Sequence, residues 1–355
     1  MNQESFRRRA SVVLGLIFSL FFLWLGFRGL ELSELFDTLG DIEFAWVLIA
    51  IPVYFVAIYI LTWRWYFLAR PVKDVHPNRL WPIVVIGYMA NNLLPFRLGE
   101  VLRAYVVRRH HGIPIAPTLT TILIERVFDG LAMLAFIFAA LFFVDFEEPR
   151  LRNVILVTTP LFFGALLVFF WLAAKPERAR RIYTPMVNTV LPVRLRAPLL
   201  DIANQLMGGL AALRSWRALL LVILFTLWSW TVEASTYWIV MQAFDFGVSF
   251  YVLLLVVGFG NLATILPSTA GYIGTFHAVA ILTLVAFEVD RTVAASYAIV
   301  MHATLWGPIT LAGFLYFLQQ GLRWRDIDTA QEVVHEAEDS NTTTRQDITE
   351  SEAIV

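Results

Sequence analysis

The 355-residue sequence has no cysteine and little charge. Without a thiol there can be no disulfide, no thiolate metal site and no cysteine nucleophile. Charged residues are 15% of the chain, well below the roughly 25% of soluble domains, whereas hydrophobic residues reach 59%. A water-soluble globule is excluded on that balance, and so is a disordered chain. Nucleotide-binding glycine patterns, a His-Glu-x-x-His pair and a Gly-x-Ser-x-Gly elbow are also missing. The expectation is a non-enzymatic chain with no cofactor and no metal.

What the sequence does have is long apolar runs, giving a mean hydropathy of +0.69. Six runs suffice to cross a hydrocarbon layer of about 30 Å: 11–28, 45–64, 118–144, 153–174, 217–243 and 292–318. The fold class expected is therefore an all-α, polytopic, multi-pass protein of the cell membrane. Arg7-Arg8-Arg9 precede the first run, but no convincing cleavage site closes it, so it reads as an uncleaved helix.

The formal net charge of -1 is a cancellation. Residues 326–355 hold nine acids and one arginine, leaving +7 on the rest. That acidic stretch, poor in large apolar side chains, reads as a disordered tail on a transmembrane domain of residues 1–325. Orientation follows from loop charge, since Lys and Arg are retained on the cytoplasmic side. With both termini inside, the inside segments carry eighteen Lys/Arg and four Asp/Glu, and the outside segments carry four and eleven. The longest inside loop, 175–217, includes Leu199, Ile202, Leu206, Leu210 and Leu213 at helical spacing. An amphipathic helix at the head-group level or a short capping hairpin would both fit.

Two further apolar regions, 80–109 and 250–288, are each broken near the middle. The first reads Asn91-Asn92-Leu93-Leu94-Pro95-Phe96-Arg97-Leu98-Gly99-Glu100. The second runs from Asn261 through Pro267 and Gly271 to Gly274. Each half is short for a span, so each region is expected to be a broken or re-entrant hairpin. The order crossing, crossing, broken hairpin, crossing then occurs twice, in 11–144 and in 153–318. The odd number of crossings inverts the second copy, and paired broken segments of this kind point to a transporter binding site.

Ionisable groups at membrane depth cost several kcal/mol and usually face a partner or a wet cavity. Arg97, Glu100 and Arg103 share one helix face, and Glu125, Arg126 and Asp129 form Glu-Arg-x-x-Asp. Glu233 sits among Thr226, Ser229, Ser235 and Thr236, while His277 follows the second break and His302 lies in the last run. The arginines could hold a phosphate by charge-assisted hydrogen bonds, aided by helix N-termini at the breaks. The plainer reading is that the charges neutralise one another, that Glu233 makes an interhelical hydrogen bond and that the histidines are core residues. Arg64 is expected to snorkel to the interface. Trp65 is expected among the interfacial anchors, and Trp230 in packing. His110-His111 reads as a solvated loop.

The three motifs together, Asn91 to Arg103, Glu125-Arg126-x-x-Asp129 and Pro267-x-x-x-Gly271-x-x-Gly274, resemble the lysylphosphatidylglycerol synthetase transmembrane-region family. The resemblance covers most of 11–318. It implies a flippase-like fold with an inverted repeat and a central cavity bordered by Arg97, Glu100, Arg103, Glu125, Arg126 and Asp129. Relatives often carry a Glu soon after the last motif glycine, where this chain has His277. The soluble synthase domain of some relatives is not found in this sequence. The expected function is translocation of a phosphorylated lipid, phospholipid or polyprenyl-linked. The substrate-binding set is Asn91, Asn92, Arg97, Glu100, Arg103, Glu125, Arg126, Asp129, Glu233, Pro267, Gly271, Gly274 and His277. Expected partners are membrane lipids with anionic head groups and not nucleic acid, with a second copy of the chain or a lipid- or glycan-pathway enzyme as protein partner. A carrier for a small organic anion, or an accessory subunit of a lipid-modifying complex, are the alternatives.

Overall fold

A computed structural model of the protein describes residues 16–94, 97–144, 156–164, 166–167, 176–190, 196, 199–200, 216–264, 270–327, 329–330 and 332. All regular structure among them is helical. Helix α1 spans Leu16–Phe27. It is followed by α2 (Leu32–Gly40), α3 (Phe44–Ala69), α4 (Pro77–Leu93), α5 (Leu98–His111) and α6 (Ile115–Phe143). Residues 156–164 are also helical. Then come α7 (Pro176–Val190), α8 (Trp216–Met241), α9 (Phe250–Ala263), a 3-10 turn at Ala270–Tyr272, α10 (Thr275–Val285) and α11 (Arg291–Gln319).

Four helices are long and apolar enough to cross a membrane: α3, α6, α8 and α11, of 26 to 29 residues. At 1.5 Å per residue each extends roughly 39 Å or more, beyond the hydrocarbon thickness. They correspond to four of the six expected runs. The runs 11–28 and 153–174 fall partly outside the described residues, as do most of the amphipathic pattern after Leu199 and the motif residue Pro267.

Both broken regions are pairs of short helices. Helix α4 has Pro77 in its first turn, where a missing N–H costs nothing, and it stops at Leu94. Helix α5 starts after Arg97, which has a left-handed backbone, and ends at Gly112, also left-handed. His110 and His111 are the last turn of α5 and not a loop. Arg108 and Arg109 in the same turn place positive charge near the helix C-terminus, where the dipole favours it. Gly99 explains how α5 folds back on α4. A Cβ there would run into the carbonyl oxygen of Gly87 and the side chain of Asn91, whose Oδ1 accepts a 2.9 Å hydrogen bond from the Gly99 N–H.

Neighbour relations repeat when α3–α6 are exchanged for α8–α11. Helix α3 packs on α8; α4 packs on α11 as α9 packs on α6; α4 packs on α5 as α9 packs on α10. In both of the cross-pairs a glycine lies at the helix contact. A Cβ on Gly313 of α11 would strike Met89 Cβ on α4, and one on Gly258 of α9 would lie 2.6 Å from Ile137 Cγ1 on α6. Small residues let such backbones come together where lipid supplies no hydrophobic drive. Two apolar cores result, one built mainly from α6 and α8–α11, the other mainly from α3–α5.

The packed chain continues past Arg325. Leu322, Ile327 and Ala330 are buried in the second core, and Asp326 accepts hydrogen bonds from Arg109 (3.1 Å) and the Tyr105 hydroxyl (3.3 Å) on α5. The start of the acidic segment is therefore held against the bundle.

Candidate functional site

Seven charged side chains form one unbroken chain of alternating sign. Arg97 approaches Glu100 (3.6 Å), Glu100 approaches Arg126 (3.4 Å), and Arg126 approaches Asp129 (3.5 Å). Asp129 pairs with Arg64, Arg64 lies 3.5 Å from Glu125, and Glu125 accepts a 2.8 Å hydrogen bond from Arg103. Three helices supply the chain besides Arg97 at the first break: α3 gives Arg64, α5 gives Glu100 and Arg103, and α6 gives the rest. Arg97, Glu100 and Arg103 share a face because three-residue spacing nearly closes a turn. Glu125 and Asp129 do so at four residues.

Four guanidinium groups against three carboxylates leave the chain with a formal charge of +1. Its arginines divide by exposure. The side chains of Arg64 and Arg103 are 1% and 7% exposed, and those of Arg97 and Arg126 are 29% and 34% exposed. Arg64 also reaches Thr226 Oγ1 at 3.4 Å, and Trp230 Nε1 donates to Asp129 at 2.8 Å, so α8 is tied in as well. The guanidinium carbon of Arg103 lies over the Trp65 ring, 3.7 Å from its centre, a cation–π contact, while Trp65 Nε1 donates to Thr121.

Three sequence expectations are corrected here. Arg64 does not snorkel. Helix α3 runs on to Ala69, so Arg64 lies more than a turn inside it and faces α6 and α8. Trp65 is not an interfacial anchor but is 1% exposed beneath Arg103. Trp230 does more than pack, because its indole holds Asp129. No spacing rule flags Arg64. Its only sequence signal is a charge inside an apolar run, which snorkelling explains equally well.

A cavity of about 150 Å³ opens beside this chain, lined by residues of both cores. Of the expected site residues, Asn91, Asn92, Arg97, Glu100, Arg103, Arg126, Glu233 and Gly271 border it. Glu125 and Asp129 sit behind the arginines and touch them from the buried side. Gly274 is spent on packing, since a Cβ there would meet the Ser19 carbonyl of α1. His277 lies one layer back, stacked at 4.7 Å on His302, which does line the cavity. Beside Trp230, the residues Tyr54, Tyr88, Tyr237, Thr264, Tyr272 and Trp306 complete much of the wall, and sequence patterning singled out none of these six. As neutral residues within apolar runs they give no signal until the helices are packed.

The two breaks meet at the cavity. Arg97 Nη2 donates to Thr264 Oγ1 at 2.7 Å, and its guanidinium stands 5.8 Å from the Tyr272 ring centre. The Asn92 side chain donates to Thr310 Oγ1 (2.8 Å), and Trp306 Nε1 donates to the Asn92 carbonyl (3.3 Å). Gly271, left-handed at φ 71°, has no room for a Cβ between Trp306 and Asn92. Such a site, with two accessible guanidinium groups and the amino end of α5, can receive an anion.

Apolar helices long enough to cross, packed around a charged cavity where two pairs of short helices meet, define a helical membrane protein with a polar cavity. The chain belongs to the lysylphosphatidylglycerol synthase TM region family, whose match covers residues 12–313. It is 25% identical to Glycosyltransferase AglD of Haloferax volcanii over 86% of this chain and 54% of that protein, and so spans about half that relative's length. It is also 25% identical to a UPF0104 membrane protein of Methanothermobacter thermautotrophicus over 76% of this chain and 83% of the relative. Another UPF0104 membrane protein, from Methanocaldococcus jannaschii, is 22% identical over 85% of this chain and 93% of the relative.

Proposed function

We propose that the protein is a lipid translocase that moves a phosphorylated head group through this cavity while the acyl or polyprenyl tails stay in the bilayer. The observation that carries the reading is the +1 ion chain whose two accessible arginines, Arg97 and Arg126, border the cavity. A phosphate bound there neutralises the surplus charge, and guanidinium forks suit phosphate oxygens. Arg64 and Arg103 are spoken for by carboxylates and hold the acids in place, and Glu100, Glu125 and Asp129 orient the arginines. The activity is transport and not catalysis.

The architecture proposed with it has six crossings, two broken hairpins, an inverted repeat and both termini on the cytoplasmic face of the cell membrane. The exchange of helix neighbours between α3–α6 and α8–α11 supports the repeat, and the loop charges support the orientation. A repeat with broken helices at its centre is the arrangement by which one half can rock against the other around a fixed site. The relative named a glycosyltransferase favours a polyprenyl-linked glycan lipid as one substrate class to test, alongside anionic phospholipid.

The test is transfer of a fluorescent anionic phospholipid, and of a polyprenyl phosphate, between leaflets of proteoliposomes holding the purified protein. Loss of transfer in an Arg97→Gln, Arg126→Gln double variant that remains folded supports the reading. Undiminished transfer in that variant, or none with the unaltered protein for either lipid, refutes it.

A further inference from the structure

Glu233 is the exception among the buried acids. Glu100, Glu125 and Asp129 each touch arginine. Glu233, 7% exposed on α8, has no ion pair or hydrogen bond to any other described residue, and it borders the cavity. The polar and titratable groups of the cavity it borders come from every element of the wall. Helix α3 brings Tyr54, α4 brings Tyr88, and α8 itself brings Trp230 and Tyr237. Helix α6 brings Arg126 on the cavity wall and Asp129 behind it, the first break brings Arg97, α5 brings Glu100 and Arg103, and α11 brings His302 with His277 of α10 stacked on it. Helix α9 contributes Asn261 and no charge.

An ionised carboxylate in such a place, without a cation or a donor, costs several kcal/mol. A proton removes that cost. The same cavity holds the anion site, so negative charge on Glu233 opposes an anion at Arg97 and Arg126, and a proton on Glu233 removes the opposition. By linkage, each ligand then favours the other to the same extent.

We propose that Glu233 is the proton-binding residue of the cavity, taken up together with the phosphorylated head group and released with it, so that translocation is coupled to a proton gradient. The inference rests on the translocase reading for its cargo, but proton-linked anion binding at this cavity can be measured without transport. The carboxyl gains one proton as the anion enters and returns it to water as the anion leaves. No other bond changes.

Two measurements on the full-length protein test it. In phosphatidylcholine vesicles doped with fluorescent phosphatidylglycerol, a pH gradient should change the transfer rate several-fold for the unaltered protein. In Glu233→Gln, the neutral mimic of the protonated acid, the ratio of rates with and without the gradient should fall to one, whatever the absolute rate. In detergent, adding phosphatidylglycerol should draw protons from a weakly buffered solution containing a pH indicator, and this uptake should vanish in Glu233→Gln. Transfer indifferent to the gradient, or no proton uptake by the unaltered protein, overturns the proposal and leaves the translocase standing. Proton uptake lost in Glu233→Gln, with no lipid transfer by any form, supports the proton site and refutes the translocase. A variant that keeps the gradient response but loses transfer of phosphatidylethanolamine assigns the carboxylate to a substrate ammonium group, and the proposal fails.

Discussion

Arg97 and Tyr272 face each other across the two helix breaks, and both have left-handed backbones, at φ 53° and 58°. For residues with a Cβ this conformation costs about 1–2 kcal/mol. The two contacts made by Arg97, with Thr264 and with the Tyr272 ring, bind one hairpin to the other at the place where the strain is stored.

Replacing Tyr272 separates backbone from ring. Tyr272→Gly and Tyr272→Ala both delete the ring contact, and only glycine tolerates the left-handed position freely. The glycine variant should melt higher than the alanine variant by an amount worth about 1 kcal/mol. Both should bind anionic lipid more weakly than the unaltered protein. Thermal melting in detergent and a lipid-binding titration decide it, and equal melting of the two variants would count against the strain.

Three of the four arginines should respond differently. Arg64→Gln removes from the bundle the buried cation that lies between Asp129 and Glu125, a loss of up to about 3–5 kcal/mol. It should appear as a lowered melting temperature or failed expression. Arg97→Gln, at the accessible end of the chain, should cost under about 1 kcal/mol in stability and should act on lipid binding. Arg103→Lys should resemble Arg64→Gln, because lysine cannot both reach Glu125 and lie flat on Trp65. Comparing melting curves with binding curves for the three variants checks the division.

Glycines at the helix contacts offer a test of the packing. Alanine at Gly313 or Gly258 must push α11 from α4, or α9 from α6, and overpacking of this kind costs about 1–3 kcal/mol. Gly99→Ala should be worse, since its obstacles are the Gly87 carbonyl and the Asn91 amide. Gly130→Ala, with open space around its Cβ, is the neutral control.

Orientation can be read directly because the chain has no cysteine. Single cysteines placed at Lys73 and Arg323 should be shielded from an impermeant maleimide added outside intact cells. One at Asp245 should react. The reverse pattern would invert the topology.

Deletion from Asp326 onward should destabilise the protein more than deletion from Val333 onward. The longer deletion removes buried Ile327, worth about 1.5–3 kcal/mol, and the Asp326 contacts to Arg109 and Tyr105. Melting temperatures of the two truncated chains give the comparison.

Much of the bundle could be read before any coordinates. The four helices long enough to cross fall where apolar runs predict them, because a span needs only length and low charge. Both breaks were legible from proline and glycine. Eight of thirteen expected site residues border the cavity, since charges inside apolar runs have few places to go. Arg64 and Trp65 were misjudged because sequence position does not reveal which face of α3 is lipid and which is protein. The tyrosines of the wall were invisible for the same reason.

Composition and the placing of scarce charges determined that this chain is a helical membrane protein with broken helices and buried ion pairs. Those properties depend on transfer to hydrocarbon, which acts residue by residue along the chain. Only tertiary structure decided which arginines are buried against carboxylates and which are accessible at the cavity, and that Glu233 has no ion pair or hydrogen bond to another described residue. Pairing of charges falls off within a few ångströms, so it is settled by how helices distant in sequence pack together.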